Sequence, residues 1–302
     1  RGAGIYIIYR NSYFRNLQHM KEKMKTLGQM LTDPTHHKYQ AWQRVVTIFI
    51  LASCVGLALE TVPEFNAKYG DILQTVEWIS VVVFTIDYIA NLLYSEEKLK
   101  YAFSLWGIID LISILPSYLM LLNLTALQGT KVLRLLRVAR VLRVLKLVRG
   151  AVDKQSSGNP IVSNLKIYLI ILFSVMMISS TAMYFVEGGL YTAENIEIGQ
   201  KALDALAQPG QTPEQYVPRD PISGNPVPAD KQFFTSIPAA LWWCTVTLTS
   251  TGYGDMYPVT VGGRIIGGLT MFLGLVLFGI LLNIVGKTLM VVLFGEKLKS
   301  DD

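Results

Sequence analysis

The sequence predicts an all-α membrane protein with six transmembrane helices and one shorter, re-entrant helix. Three observations predict it. Only 16% of the 302 residues are charged, against about 25% in a soluble domain. The apolar residues gather in long runs, and mean hydropathy is +0.38, as expected of a chain solvated by lipid. Between the last two long runs lies a shorter apolar run that ends in a glycine-rich segment.

Residues 1–41 are polar and basic, with Tyr6, Tyr9, Tyr13, Phe14 and Leu17 at near-helical spacing. They read as a cytoplasmic amphipathic helix on the membrane surface or against a partner. No cleavable signal peptide is evident, because no separate apolar core followed by small residues is present in this stretch. The long runs span 45–59, 72–94, 103–122, 132–148, 165–186 and 261–294. At about 1.5 Å per residue the longer ones each cover about 30 Å of hydrocarbon. The short run, 233–249, suits a re-entrant helix.

Flanking charge sets the orientation. Residues 1–44 carry eight Lys/Arg against Glu22 and Asp33, which places the N-terminus in the cytoplasm. Six crossings return the C-terminus, residues 295–302, to the same side. Residues 188–232 are acidic and rich in proline, which marks a long extracellular loop with one short helix near 202–207. The net charge of +5 does not indicate nucleic-acid binding, because much of the excess lies in one apolar helix and in the N-terminal stretch. Cys54 and Cys244 both fall in apolar runs and imply no disulfide framework.

The fourth run is exceptional. Lys131, Arg134, Arg137, Arg140, Arg143, Lys146 and Arg149 stand at every third position, separated almost wholly by Leu and Val. On an α-helix this makes a slowly winding cationic stripe, and on a 3₁₀ stretch a straight one. A cation at the bilayer centre costs several kcal/mol unless it is paired or hydrated. A strict period of such residues therefore reads as a voltage sensor. About 2.3 kcal/mol per charge per 100 mV gives roughly 28 kcal/mol for three charges in each of four subunits. Neighbouring runs offer counter-charges: Glu77 and Asp87 in the second, Asp110 in the third. Asp87 and Asp110 fall at one depth, about 10 Å above the inner face, and Glu77 about 15 Å further out than Asp87. Phe84 lies between the two acids of the second run and is placed to plug the gap between inner and outer water.

The short apolar run leads into Ser250-Thr251-Gly252-Tyr253-Gly254, followed by Asp255. Glycines at alternate positions let successive carbonyls point one way. Rings of such carbonyls from four chains can replace the hydration shell of K⁺. Trp242 and Trp243 are expected to pack around Tyr253 and support the filter, together with Asp255. Gly274, in the middle of the last run, is a possible hinge. No cofactor is expected, K⁺ being the permeant ion held by filter carbonyls.

On LETVPEF (59–65), the Glu77/Phe84/Asp87 spacing, IID ending at Asp110, the cationic ladder and GYGDMYPVTVGG (252–263), the sequence resembles the voltage-gated potassium channel family from about 42 to 294. The resemblance implies four subunits around one pore: a four-helix voltage-sensor domain (42–149), a short linker (150–164) and a pore domain (165–294). It matches Arg134, Arg137, Arg140 and Arg143 to the main gating charges, with Lys146 and Arg149 continuing them. Phe84, Asp87 and Asp110 match the charge-transfer centre. It implies a homotetramer in the plasma membrane. Three departures stand out. Ser250-Thr251 replaces the usual Thr-Val, Leu281-Leu282-Asn283 stands where animal members have Pro-Val-Pro, and the linker is broken by Gly158 and Pro160. The last of these leads to the expectation that each sensor packs on its own subunit's pore. Alternatives are a weakly selective cation channel of cyclic-nucleotide-gated or hyperpolarisation-activated type, or a non-conducting modulatory subunit. A further cytoplasmic domain or partner is compatible with the resemblance.

Overall fold

A computed structural model describes residues 28–33, 36–95, 97–121, 139–152, 160–206, 215–228 and 231–295, together with Thr26. The described part is built of α-helices with short 3₁₀ turns and one isolated β-bridge. In chain order the helices are α1 (Tyr39–Glu60), α2 (Pro63–Tyr94), α3 (Lys98–Ala102), α4 (Leu105–Leu121), α5 (Leu145–Val152), α6 (Pro160–Glu187), α7 (Ala193–Leu206), α8 (Ile237–Leu248) and α9 (Val261–Phe294).

Local chemistry sets several boundaries. Pro63 opens α2 where its missing N–H costs nothing, and Glu64 follows in the first turn. Ser236 caps α8 by accepting from Ala239 N, and Thr260 caps α9 by accepting from Gly263 N. Gly295, at φ 63°, ends α9 in the left-handed conformation that favours glycine. The sequence expectation of a short loop helix near 202–207 falls short, because α7 begins nine residues earlier, at Ala193.

Four stretches among the described residues are long and apolar enough to cross a membrane: α1, α2, Pro160–Leu206 (which contains α6) and Val261–Leu293 within α9. Helix α4, with 17 residues, is shorter. Of the expected fourth crossing, 132–148, the described part begins at Ala139. The amphipathic N-terminal positions Tyr6 to Leu17, with Arg134 and Arg137, lie outside the described residues.

Both halves of the chain meet in one core. Val46, Ile50, Phe84, Val141 and Val144 pack with Met177 of α6 and Ile237 of α8. At the C-terminal end of α1, Thr61 Oγ1 accepts from Ile237 N at 2.9 Å, satisfying an orphan donor at the start of α8. A second cluster, around Met183, Phe234, Trp243 and Cys244, holds α8 against α6. Cys54 and Cys244 are both buried free thiols.

A cation ladder against two acidic levels, and a carbonyl-bearing turn

The described end of the cationic run is wound as a 3₁₀ helix from Arg140 to Val144 before it relaxes into α5. In a 3₁₀ helix residues three apart eclipse, so Arg140 and Arg143 project in line. Arg143 is the largest fully buried side chain of the described residues, at 1% exposure. It forms a two-pronged pair with Glu77, Nη1 to Oε2 at 2.9 Å and Nη2 to Oε1 at 2.9 Å. Its Nε and Nη2 also donate to the Ser113 carbonyl at 3.0 and 2.7 Å, and Nη1 donates to Ser53 Oγ at 2.6 Å. Arg140 stands one level out, 3.6 Å from Glu77 Oε1.

One turn further in, Lys146 meets a different pair. Its ammonium lies 3.2 Å from Asp87 Oδ2 and 3.0 Å from Asp110 Oδ1. The Phe84 ring, with no exposed surface, lies against both cations. The Arg143 guanidinium carbon is 5.1 Å from its centroid and the Lys146 Nζ 5.3 Å, both within cation–π range. The geometry therefore brings Glu77, Phe84, Asp87 and Asp110 together with Arg140, Arg143 and Lys146. Arg149 falls on α5. A crevice of about 360 Å³, lined by Ser53, Glu60, Asp71, Glu77, Ser117 and Arg140 among others, reaches the outer acid.

The second region is electrically quiet. Ser250, Gly252 and Gly254 take φ values of 57°, 60° and 76°, and the residues between them do not. Positive φ at every second residue lets successive peptide carbonyls turn to one side. Glycine does this freely, whereas at Ser250 it is costly. The turn is anchored by Ser250 N to Thr247 O at 3.1 Å and Thr251 N to Val246 O at 3.0 Å. Thr249 Oγ1 donates to Thr245 O at 2.8 Å. The 2.8 Å contact between the Thr249 and Thr251 hydroxyls therefore uses the Thr251 proton. Trp242 stacks on Tyr253, with centroids 5.9 Å apart and planes 8° apart, and its Nε1 donates to Asp255 Oδ2 at 2.8 Å. Within the chain Trp243 does not join them. It packs edge-on against Phe234 instead.

Gly274 has a visible packing role. A Cβ there would lie 2.7 Å from Leu248 O and 2.9 Å from Leu248 Cα, so its absence lets α9 approach the end of α8, just before the turn. The helix runs unbroken through this position.

Four further residues support the two regions and were not legible as such. Glu187, 4% exposed, accepts from Val259 N (3.2 Å), Thr260 N (2.9 Å) and Thr260 Oγ1 (2.7 Å). It ties the end of α6 to the start of α9, and any Cβ at Gly263 would collide with it. A carboxylate closing an apolar run was its only sequence signal. Thr61 bridges α1 to α8. Trp42 and Tyr101 hydrogen-bond the inner acids, at 2.9 Å to Asp87 Oδ1 and 2.7 Å to Asp110 Oδ2.

Comparison with known proteins agrees with this architecture. The family described as ion transport protein matches residues 39–295. A protein of Rhodopseudomonas palustris, named as a candidate potassium channel protein, is 28% identical over 256 residues, covering 81% of this chain and 52% of its own length. The mouse (Mus musculus) voltage-gated potassium channel regulatory subunit KCNG3 is 27% identical over 264 residues, covering 78% and 53%. The rat (Rattus norvegicus) regulatory subunit KCNF1 is 27% identical over 240 residues, covering 76% and 42%. The chain spans about half the length of the curated relatives it matches. It belongs to the ion transport protein family and is a multi-pass membrane protein. The resemblance to voltage-gated potassium channels drawn from its motifs is borne out.

Proposed function

We propose that this member of the ion transport family is the subunit of a voltage-gated, potassium-selective channel, a homotetramer of six-crossing chains in the plasma membrane with both termini cytoplasmic. The observation that carries the reading is that Arg143 and Lys146, three residues apart, both lie against the buried Phe84 and pair with different acids, Arg143 with Glu77 and Lys146 with Asp87 and Asp110. Membrane potential acts on the ladder. Each cation has a partner before and after a step, so the ladder can shift without leaving a charge unpaired in low dielectric. Arg134 and Arg137 are the cations that would follow outward of Arg140, and Arg149 the one that would follow inward of Lys146.

The pore reading rests on Ser250 to Gly254. Four copies of a one-sided carbonyl turn would form a cage for dehydrated K⁺. In the isolated chain Tyr253 and Trp242 are 67% and 49% exposed, as expected of surfaces that other copies cover. The shared core of α1, α6 and α8 within one chain supports a sensor that sits on its own subunit's pore.

The experiment is current through purified protein in a planar bilayer, with K⁺ on one side, Na⁺ on the other, and voltage stepped both ways. A reversal near the K⁺ equilibrium potential with steeply voltage-dependent opening is expected. A reversal near zero would mean that Ser250-Thr251 has cost selectivity and would move the reading to a weakly selective cation channel.

A second reading has its own support, because two of the relatives are named regulatory subunits. On it, the chain alone carries no current and alters that of a conducting partner. Expression alone and with a conducting relative separates the two readings.

A further inference from the structure

The outer and inner acidic levels present their oxygens differently. Glu77 turns both carboxylate oxygens to one guanidinium, that of Arg143. Asp87 and Asp110 each give a single oxygen to Lys146, Oδ2 and Oδ1 respectively. Their other oxygens are taken by neutral donors on large rings. The Trp42 indole donates to Asp87 Oδ1 at 2.9 Å from α1, and the Tyr101 phenol donates to Asp110 Oδ2 at 2.7 Å from α3. The residues on Glu77's flank are serines, Ser53 and Ser117, whose small hydroxyls leave room for the fork.

This difference matches the chemistry of the two cations. A guanidinium is a planar fork that binds best to two oxygens of one carboxylate, whereas an ammonium is a compact charge that accepts single oxygens from separate groups. We propose that Trp42 and Tyr101 are positioning residues that set the inner acid pair to hold an ammonium in preference to a guanidinium. They thereby favour the sensor position in which Lys146, rather than a neighbouring arginine, occupies the site below Phe84. The inference rests on the voltage-sensor reading and deepens it: the single lysine of this stretch of the ladder defines a preferred resting point, and two aromatic donors select it.

The test is a set of variants in reconstituted channels, each read as the midpoint of the conductance–voltage curve. Trp42→Phe and Tyr101→Phe remove a donor and keep a ring. Lys146→Arg puts a fork into a site made for a point. Each of the three disfavours the lysine-occupied state, so all three shift the midpoint in the same direction. The expected size is roughly a tenfold change in the sensor equilibrium, the scale of one hydrogen bond to a charged group. The deciding measurement is Lys146→Arg in the Trp42→Phe/Tyr101→Phe background. There both oxygens of each acid are open, and the Lys146→Arg shift should fall below about twofold.

Additive shifts, shifts of opposite sign, or unchanged midpoints in both aromatic variants would overturn the proposal while leaving the sensor reading intact. Absence of voltage dependence in the wild-type channel would overturn the sensor reading, and the proposal with it. If Trp42→Phe does not fold, Tyr101→Phe carries the same cycle with Lys146→Arg alone, since it removes only a hydroxyl.

Discussion

The two halves of the chain solve the problem of polar groups in a membrane in opposite ways. The half proposed as sensor buries full charges and pairs each one: Arg143 with Glu77, and Lys146 with Asp87 and Asp110. The half proposed as pore relies on peptide carbonyls, hydroxyls and glycines, with carboxylates at the end of α6 in Glu187 and just after the turn in Asp255. Exchangeable ion pairs suit an element that must move. A backbone turn held by Val246 O, Thr247 O and the Trp242–Asp255 bond suits one that must keep its shape. Substitution should therefore be costly in the sensor through charge and in the pore through shape.

The largest effect is expected in the sensor. Among the described residues, Arg143→Gln leaves Glu77 with only the 3.6 Å contact to Arg140 as a cation partner. Breaking a buried pair from one side costs about 3–5 kcal/mol. The lower end is expected here, because Arg140 stays close. Thermal unfolding in detergent would read the loss, and the double variant Arg143→Gln/Glu77→Gln should recover part of it. A single variant with unchanged stability would mean that the outer pair is solvated and the contrast with the pore is false.

A shape effect comes next. Gly274→Ala drives a methyl into the backbone of Leu248, an overpacking worth about 1–3 kcal/mol. Because Leu248 leads into the turn at Thr249, loss of K⁺ over Na⁺ discrimination is expected together with the loss of stability. Gly56→Ala in α1 is the matching control. A Cβ there meets open space, and removing an interior helical glycine contributes about 0.5–1 kcal/mol of stability. Equal penalties at both sites would remove the distinction between a pore set by shape and a sensor set by charge.

Legibility in the sequence followed the same divide. The ladder and the acids were visible because charge in an apolar run is conspicuous, and the alternate glycines because they fall within one short stretch of chain. The helical runs were visible through length alone. Trp42 on Asp87 and Thr61 on Ile237 were not, since each partner lies 45 and 176 residues away and no periodicity links them. The packing role of Gly274 was likewise hidden, because only the crossing of α9 over Leu248 creates it. Trp242 and Trp243 differ within the chain: consecutive helical residues face different ways, so Trp242 meets Tyr253 and Trp243 meets Phe234.

A smaller effect tests the hydroxyl behind the turn. Thr251→Val removes the proton that Thr251 gives to Thr249 and leaves the Thr249 bond to Thr245 O in place. The cost is expected to be about 1 kcal/mol, the net worth of a neutral hydrogen bond. Reversal potential should stay near the K⁺ value, with a small change in thermal stability. A large loss of selectivity would place the hydroxyl pair, rather than the backbone, in control of the filter.

The smallest effect concerns the outer loop, where charge and shape meet. Asp220 Oδ1 accepts from Ile222 N at 2.8 Å, and Oδ2 from Arg264 Nη2 at 2.6 Å. These contacts pin the turn around Gly224 to the start of α9, four residues beyond its Thr260 cap. The Ile222 and Ser223 amides, with Arg264 beside them, hold the Asp220 carboxyl below its usual range. A depressed folded-state pKa stabilises the ionised form, so the contact is fully present above the ordinary carboxylate value of about 3.9 and fades only as pH falls below it. Protease susceptibility of the loop should therefore be flat from neutral pH down to about 5 and rise only in stronger acid. In Asp220→Asn it should be raised at neutral pH and insensitive to that acid step. A rise already near pH 6 would show that a group other than Asp220 holds the loop. The outer edge of the pore would then depend on titratable charge in the way that only the sensor is expected to.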